Sequence, residues 1–214
     1  MELGDLSELN ELFSRNEAWA DKIKSRTPHF FKNLSKEHKP KYLWIGCSDS
    51  RTAPDRLLNL PSEEIFVHRN IANQIHSDDT NCMSVVQYAV DQLKVSHIVV
   101  CGHSYCGGVR AALDGQTSGP IGQWLRPLTI LRTSISKKLE KSSYEEKSAT
   151  LAELNVIKQV TNLCDSITVQ SAWKRKTKLS VHGWMFDIKT GIVADLLGDI
   201  KSAETAASIQ EQYF

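Results

Sequence analysis

Two hydrophobic rhythms alternate along the chain. Between residues 5 and 25, Leu6, Leu9, Phe13, Ala20 and Ile23 fall near one face of a helix. Thr27-Pro28 then opens a second short helix that runs to Lys36. KYLWIG is a continuous apolar run, the pattern of a strand buried on both faces. EIFVHRN (64–70) reads as a second strand and HIVVCG (97–102) as a third buried one. Met83, Val86, Val90 and Leu93 recur at spacings of three and four, which predicts a helix from Asn81 to Leu93. CGGVRAAL starts another helix behind two glycines, and a long helical region is expected from about Ile121 to Lys138. A further helix carries Leu151, Leu154, Ile157, Val160, Cys164 and Ile167 on one face. KLSVHGWMFDI and GIVADLL flank Lys189-Thr190-Gly191 and read as a hairpin. A last helix covers roughly Ala203 to Tyr213. The polar stretch KKLEKSSYEEKSAT (137–150) reads as a connection between helices rather than a domain boundary.

Strands that alternate with helices give an α/β class. The sheet is mainly parallel, with an antiparallel edge hairpin, flanking helices and an N-terminal helical arm. One domain is expected over 1–214: an arm at 1–38, an α/β core at 39–200 and a C-terminal helix at 201–214. Its 214 residues, 41% of them hydrophobic, suffice for one real core.

Charge excludes more than it suggests. With 26 basic and 25 acidic residues the formal net charge is +1, so nothing favours nucleic acid or an anionic membrane. No apolar run approaches the roughly 18–20 residues that span a bilayer. MELGDLSELN is acidic and has neither a signal-peptide core nor the Arg-rich character of a transit peptide. The expectation is a cytoplasmic protein, with an organelle form trimmed of its transit peptide as the alternative. Five cysteines, an odd number, then argue for reduced thiols with metal-binding or catalytic use.

Chemistry in open parallel sheets gathers at the carboxyl ends of the strands. Two predicted strands end in metal-ligand residues. YLWIGCSDSR supplies Cys47 and Asp49, and CGHSYCGG supplies His103 and Cys106. Two thiols, an imidazole and a carboxylate suit Zn²⁺ and complete a tetrahedron. The alternatives are a core histidine, a redox thiol at Cys106, and a Cys47–Cys106 disulfide, which a reducing compartment disfavours. Cys82, Cys101 and Cys164 read as core. Asp49 lies two residues from Arg51, which would be an ordinary surface pair worth about 0–1 kcal/mol were no metal beside it. Gly107 and Gly108 open a helix whose backbone N–H groups favour an anion.

CSDSR, followed by CGHSYCGG, resembles the β-class carbonic anhydrases. FVHRNIAN, LNVIKQV, SAWKR and VHGW strengthen the resemblance, especially to the bacterial-type branch, and it extends from about Leu12 to Leu197. It implies reversible hydration of CO₂ to bicarbonate and a proton, with one zinc per chain held by Cys47, His103 and Cys106. Water on such a zinc has its pKa lowered to roughly 7 and attacks as hydroxide. The resemblance also answers why Asp49 and Arg51 stand there. Asp49 either ligates zinc and closes the fourth position, or pairs with Arg51, frees that position and orients the hydroxide.

Bacterial relatives use a Trp, an Arg and a Tyr to hold a non-catalytic bicarbonate. Trp44 and Arg69 match, but the Tyr position holds Phe186; core packing and an interface ion pair are the other reading of Trp44 and Arg69. His38 stands where the family carries a substrate-side Gln, or is simply exposed in a loop. The resemblance further implies a homo-oligomer, a dimer or a dimer of dimers, in which the N-terminal helix wraps the partner. Three other functions stay open at this point: a non-catalytic zinc scaffold with Asp49 as fourth ligand, a thiol redox protein using Cys106, and a carbon disulfide hydrolase on the same fold.

Overall fold

The computed structural model describes residues 3–36, 38–115, 117–137 and 139–214, with side chains from residue 7 onward. Leu6 of the first helix face, Lys138 at the expected end of the long helix, and positions 1, 2 and 37 of the expected arm lie outside the described side chains or residues. The chain divides into two compact units, Met1–His38 and Lys39–Phe214.

The first unit is helical. α1 (Leu3–Arg26) follows the predicted periodicity, and its Leu9, Leu12 and Phe13 are exposed. α2 (Phe30–Leu34) is shorter than the expected 27–36 segment, because Pro28 and His29 form a turn ahead of it. Phe31 packs edge-on against Trp19, with ring centroids 5.5 Å apart.

The second unit is built on a five-stranded sheet. In chain order its elements are β1 (Tyr42–Cys47), α3 (Pro54–Leu58), β2 (Ile65–Asn70), α4 (Thr80–Gln87), β3 (His97–His103), α5 (Gly107–Asp114), α6 (Gly119–Trp124), α7 (Arg126–Ile135), α8 (Tyr144–Cys164), α9 (Ile167–Lys174), β4 (Ser180–Asp187), β5 (Ile192–Asp195) and α10 (Ala203–Tyr213). Spatial order is β2-β1-β3-β4-β5, parallel except for the β4–β5 hairpin. The chain leaves β1 for β2 on one side and later places β3 on the other. The carboxyl ends of β1 and β3 therefore flank the point where the strand order reverses, and a crevice opens there.

One sheet face carries Leu43, Ile45, Ile98, Val100 and Val181 against Val86, Val156, Val160 and Leu163. The opposite face holds Trp44, Ile65, Val99, Cys101 and Phe186, with Leu57 and Leu58 of α3 beside them. A third cluster joins Cys47 and Cys106 to Val109, Leu125, Leu128 and Leu151. Cys82, Cys101 and Cys164 are buried, as expected of core thiols. Gly102 permits the approach of α8 to the end of β3, since a Cβ there would lie 2.5 Å from Val156 Cγ2.

Four expectations need correction. The long 121–138 helix is two helices, because Leu125 leaves helical geometry and Pro127 lacks the N–H that would continue the ladder. The Leu151 helix ends at Cys164; Ser166 caps α9, and Ile167 lies there, 86% exposed, rather than on the buried face. The helix expected to Leu93 changes to π-helical turns over Tyr88–Gln92. Half of the polar 137–150 stretch is the first turns of α8, started by a Ser143–Glu146 capping box.

Candidate metal centre

Cys47 is the last residue of β1, His103 the last of β3, and Cys106 the N-cap of α5. All three are buried, and one ligand atom of each lies within 4.8 Å of the other two. The turn between the last two holds Tyr105 at φ 59, a left-handed conformation that reverses the chain in two residues.

These side chains fit zinc. The two sulfurs are 3.8 Å apart and unbonded. Two Zn–S bonds of about 2.3 Å at a tetrahedral angle require roughly that separation. His103 Nδ1 donates to the Ser104 carbonyl at 2.9 Å, which leaves the Nε2 lone pair pointing into the cluster. That Nε2 is buried and has no hydrogen-bond partner among the described residues. Without metal the two sulfurs share a hydrogen bond that either thiol can donate. This lowers the Cys47 pKa and, together with burial, raises that of Cys106. The backbone N–H groups of Asp49 and Ala72 favour a thiolate on Cys47, and those of Gly108 and Val109 favour one on Cys106.

Asp49 stands beside the trio, not in it. Arg51 Nε donates to its Oδ1 at 2.9 Å and Nη2 to its Oδ2 at 2.6 Å, and the Arg51 backbone N–H adds a third bond at 3.0 Å. The Arg51 hydrogen bonds, first the side chain's, hold the Asp49 carboxyl well below the usual carboxylate range, against its partial burial. Oδ2 is 4.0 Å from His103 Nε2.

Arg69 braces the loop from below. Its Nε donates to the Cys47 carbonyl at 2.7 Å, and its Nη2 to the Asp49 carbonyl and, at 3.1 Å, to Thr52 Oγ1. Trp44 Nε1 is buried without a hydrogen-bond partner among the described residues, in the same cluster as Phe186. The structure thus brings Trp44 and Phe186 together and commits Arg69 to backbone carbonyls. His38 is exposed and ends the first unit. A Cβ on Gly107 would meet nothing, whereas one on Gly108 would lie 2.8 Å from Ile71 Cγ2. Gly108 therefore lets α5 start close against the loop after β2.

Sequence reasoning missed that loop. Ala72 and Asn73 both have positive φ, 60 and 46. A buried amide network holds them: Asn155 Nδ2 and Gln74 Nε2 each donate to the Ala72 carbonyl at 2.9 Å, and Gln159 Oε1 accepts from the Ile75 N–H at 2.7 Å. Gln74 and Gln159 both donate to Asn155 Oδ1, at 2.6 and 3.0 Å. The network fixes the Ala72 N–H that serves Cys47. Its signal was Asn155, Gln159 and Asn162, polar residues at spacings of four and three on one helix face.

A family model described as carbonic anhydrase matches residues 42–193. A carbonic anhydrase of Emericella nidulans is 40% identical over 205 residues, covering 95% of this chain and 89% of the relative. One from Candida albicans is 38% identical over 198 residues, covering 91% and 70%. Among solved structures, a Coccomyxa β-carbonic anhydrase in complex with acetazolamide superposes with a TM-score of 0.89 at 37% identity, over 95% of both chains. Tetrameric β-carbonic anhydrases of Sordaria macrospora give a TM-score of 0.86 at 39% identity, over 91% of this chain and 99% of theirs.

Proposed function

This chain belongs to the β-class carbonic anhydrases, and we infer from that premise how its residues serve the reversible hydration of CO₂ to bicarbonate and a proton. The observation that carries the reading is the trio Cys47, His103 and Cys106, with sulfurs 3.8 Å apart and an orphaned imidazole nitrogen. We assign one zinc per chain to these three. Zinc, when held there, acidifies water and so supplies a nucleophile for CO₂ at neutral pH.

The protein's own groups do the rest. Asp49, ionised and gripped by Arg51, offers carboxylate oxygen beside the trio, where it accepts a hydrogen bond from the attacking water and orients it. Arg51 keeps that carboxylate from becoming a ligand itself, and Arg69 holds the backbone on which Asp49 sits. The scaffold reading needs Asp49 as a fourth ligand, and the Arg51 fork opposes it. We place bicarbonate against the Gly107 N–H at the start of α5. His38, just before β1, is the proposed substrate-side donor by its place in the sequence. A regulatory bicarbonate at Trp44 and Arg69 is proposed to be weak, because Phe186 lacks a hydroxyl.

A homo-oligomer, a dimer or a dimer of dimers, suits the exposed Leu9, Leu12 and Phe13 of α1, and tetramers occur among the Sordaria relatives. Among the described residues no helix is long and apolar enough to cross a membrane. Five free, buried cysteines suit a reducing compartment, and the cytoplasm is the proposed location.

The test is stopped-flow CO₂ hydration over roughly pH 7 to 9, with zinc measured on the same sample. The expected result is about one zinc per chain and a rate that rises with pH. Bound zinc with no hydration at any pH would leave the scaffold or the carbon disulfide hydrolase.

A further inference from the structure

We propose that His68, Asp79 and Cys82 form a second metal site, for a borderline divalent cation of the Zn²⁺ type. The cluster shares no residue with the first. One ligand atom from each side chain lies within 4.8 Å of the other two. The fold sets them from two elements. His68 is on the edge strand β2, paired with Ile45 of β1, and shares a strand face with Phe66, which packs on the core. Asp79 is the N-cap of α4, and Cys82 lies in the first turn of that helix, fully buried.

The donor chemistry is that of a metal site. One imidazole, one carboxylate and one thiolate suit zinc, and the two anionic donors neutralise a dication. Asp79 has an oxygen to spare, and His68 has one weak bond to exchange. Asp79 caps α4 with Oδ1, which accepts from the Asn81 N–H at 3.0 Å, and the cap does not use its other oxygen. His68 meets Asn70 Nδ2 at 3.3 Å through Nε2. The Asn70 amide is oriented by Gln74, whose N–H it accepts at 2.7 Å and whose carbonyl it meets at 2.8 Å, so Nδ2 is the group facing the ring. The imidazole then accepts through Nε2 and is neutral, so an entering metal displaces the long Asn70 bond from that lone pair; burial lowers the ring's pKa, which favours the neutral form. Burial pushes the Cys82 thiol up to about 12, so metal entry replaces its proton and releases one H⁺. Zinc bonds of about 2.0–2.3 Å call for donors somewhat closer than 4.8 Å, a closure of about 1 Å by side-chain rotation.

The experiment uses the zinc-loaded enzyme. It is incubated with excess Zn²⁺, freed of unbound metal, and assayed for metal per chain. Cd²⁺ is then titrated in parallel and followed by the thiolate-to-metal charge-transfer band. Wild type is expected to take a second equivalent with a new thiolate band. Cys82→Ser should lose both. Asp79→Asn retains the cap, because asparagine caps as well as aspartate. Since even an outer partner of a metal is worth about 10–100-fold in affinity, this variant should bind the second ion at least about tenfold more weakly, with CO₂ hydration unchanged. A wild type that stops at one equivalent, or a second equivalent unaltered in both variants, overturns the site.

Discussion

Arg51 grips Asp49 with two nitrogens, and the carboxylate oxygen it holds at 2.6 Å stands 4.0 Å from His103 Nε2. In the proposed mechanism this one guanidinium decides whether Asp49 faces the metal centre as an acceptor or reaches it as a ligand. Arg51→Ala should release the carboxylate toward the trio. We expect CO₂ hydration to fall sharply while zinc stays bound, and Arg51→Lys to recover only part of it, since an ammonium cannot fork to two oxygens. Rates and zinc content on the same samples check this; wild-type rates near neutral pH in Arg51→Ala would sink it.

On the proposed mechanism, Asp49 is not expected to supply the pH dependence of the rate. Arg51 lowers its folded pKa, so it is ionised across the working range. The stability it contributes is complete above the ordinary carboxylate value and is lost only as pH falls through the lowered folded one. A rate rising toward alkaline pH must come from the acidified water. Asp49→Asn should therefore lower the plateau rate and leave a pH profile that still rises toward alkaline pH; stopped-flow rates across pH check this, and a profile that becomes flat would return the titration to Asp49.

Cys47→Ala, His103→Ala and Cys106→Ala should each lose zinc and activity together. Two remaining donors make a poor zinc site, and each substitution opens the buried cluster. Metal per chain by elemental analysis decides it. Full zinc and full activity in any one of the three would remove that residue from the ligand set.

The centre was legible because its two halves are strand ends, where a continuous apolar run stops at a reactive residue. β1 and β3 were read almost to the residue for that reason. The helical half was harder. Pro127 inside a periodic stretch signalled the break between α6 and α7, yet the apolar spacing carries on across it. Ser143-x-x-Glu146 signalled the start of α8, but its lysines and glutamates resemble a solvated linker. The Ala72 loop left the faintest trace. Positive φ at an alanine has no sequence mark, and its support comes from amides on α8 about 80 residues away.

That support is testable. Asn155→Leu removes the donor to the Ala72 carbonyl and the acceptor for Gln74 and Gln159. Buried groups left unpaired cost about 1–3 kcal/mol each. A loss of about 2–4 kcal/mol in denaturant unfolding is expected, with weaker zinc retention, because the Ala72 N–H no longer stays on Cys47. A variant as stable as wild type would show that the network is dispensable.

His182 gives the acid limb of stability. Burial, and secondly the charge of His97, lower its pKa against the pull of Asp199, 3.4 Å away. The folded protein thus prefers the neutral ring. Its contribution is complete above the unfolded value of about 6.5 and is lost as pH falls through the lowered folded value. Denaturation midpoints should drop less between pH 7.5 and 5.5 in His182→Gln than in wild type. Equal drops would assign the acid limb to other groups.

If bicarbonate binds at the proposed regulatory site, Phe186 sets how strongly it can regulate. The proposed regulatory site has one free donor, the buried Trp44 Nε1, and one occupied one, Arg69, which already serves the carbonyls of Cys47 and Asp49. An anion there must take Arg69 from the loop that carries Asp49, so binding and an ordered gate oppose each other. A tyrosine hydroxyl at 186 would offset part of that cost, since a hydrogen bond to a charged group is worth about 1.5–3 kcal/mol. Its absence weakens the site by roughly one to two orders of magnitude. A ligand shifts a conformational equilibrium only by its differential affinity, so bicarbonate should inhibit wild type weakly and without cooperativity. Phe186→Tyr should be inhibited more strongly by bicarbonate and with a steeper curve. Steady-state inhibition of both proteins checks this, and strong sigmoidal inhibition of wild type would show that another donor, a backbone N–H or a water, replaces the hydroxyl beside Trp44.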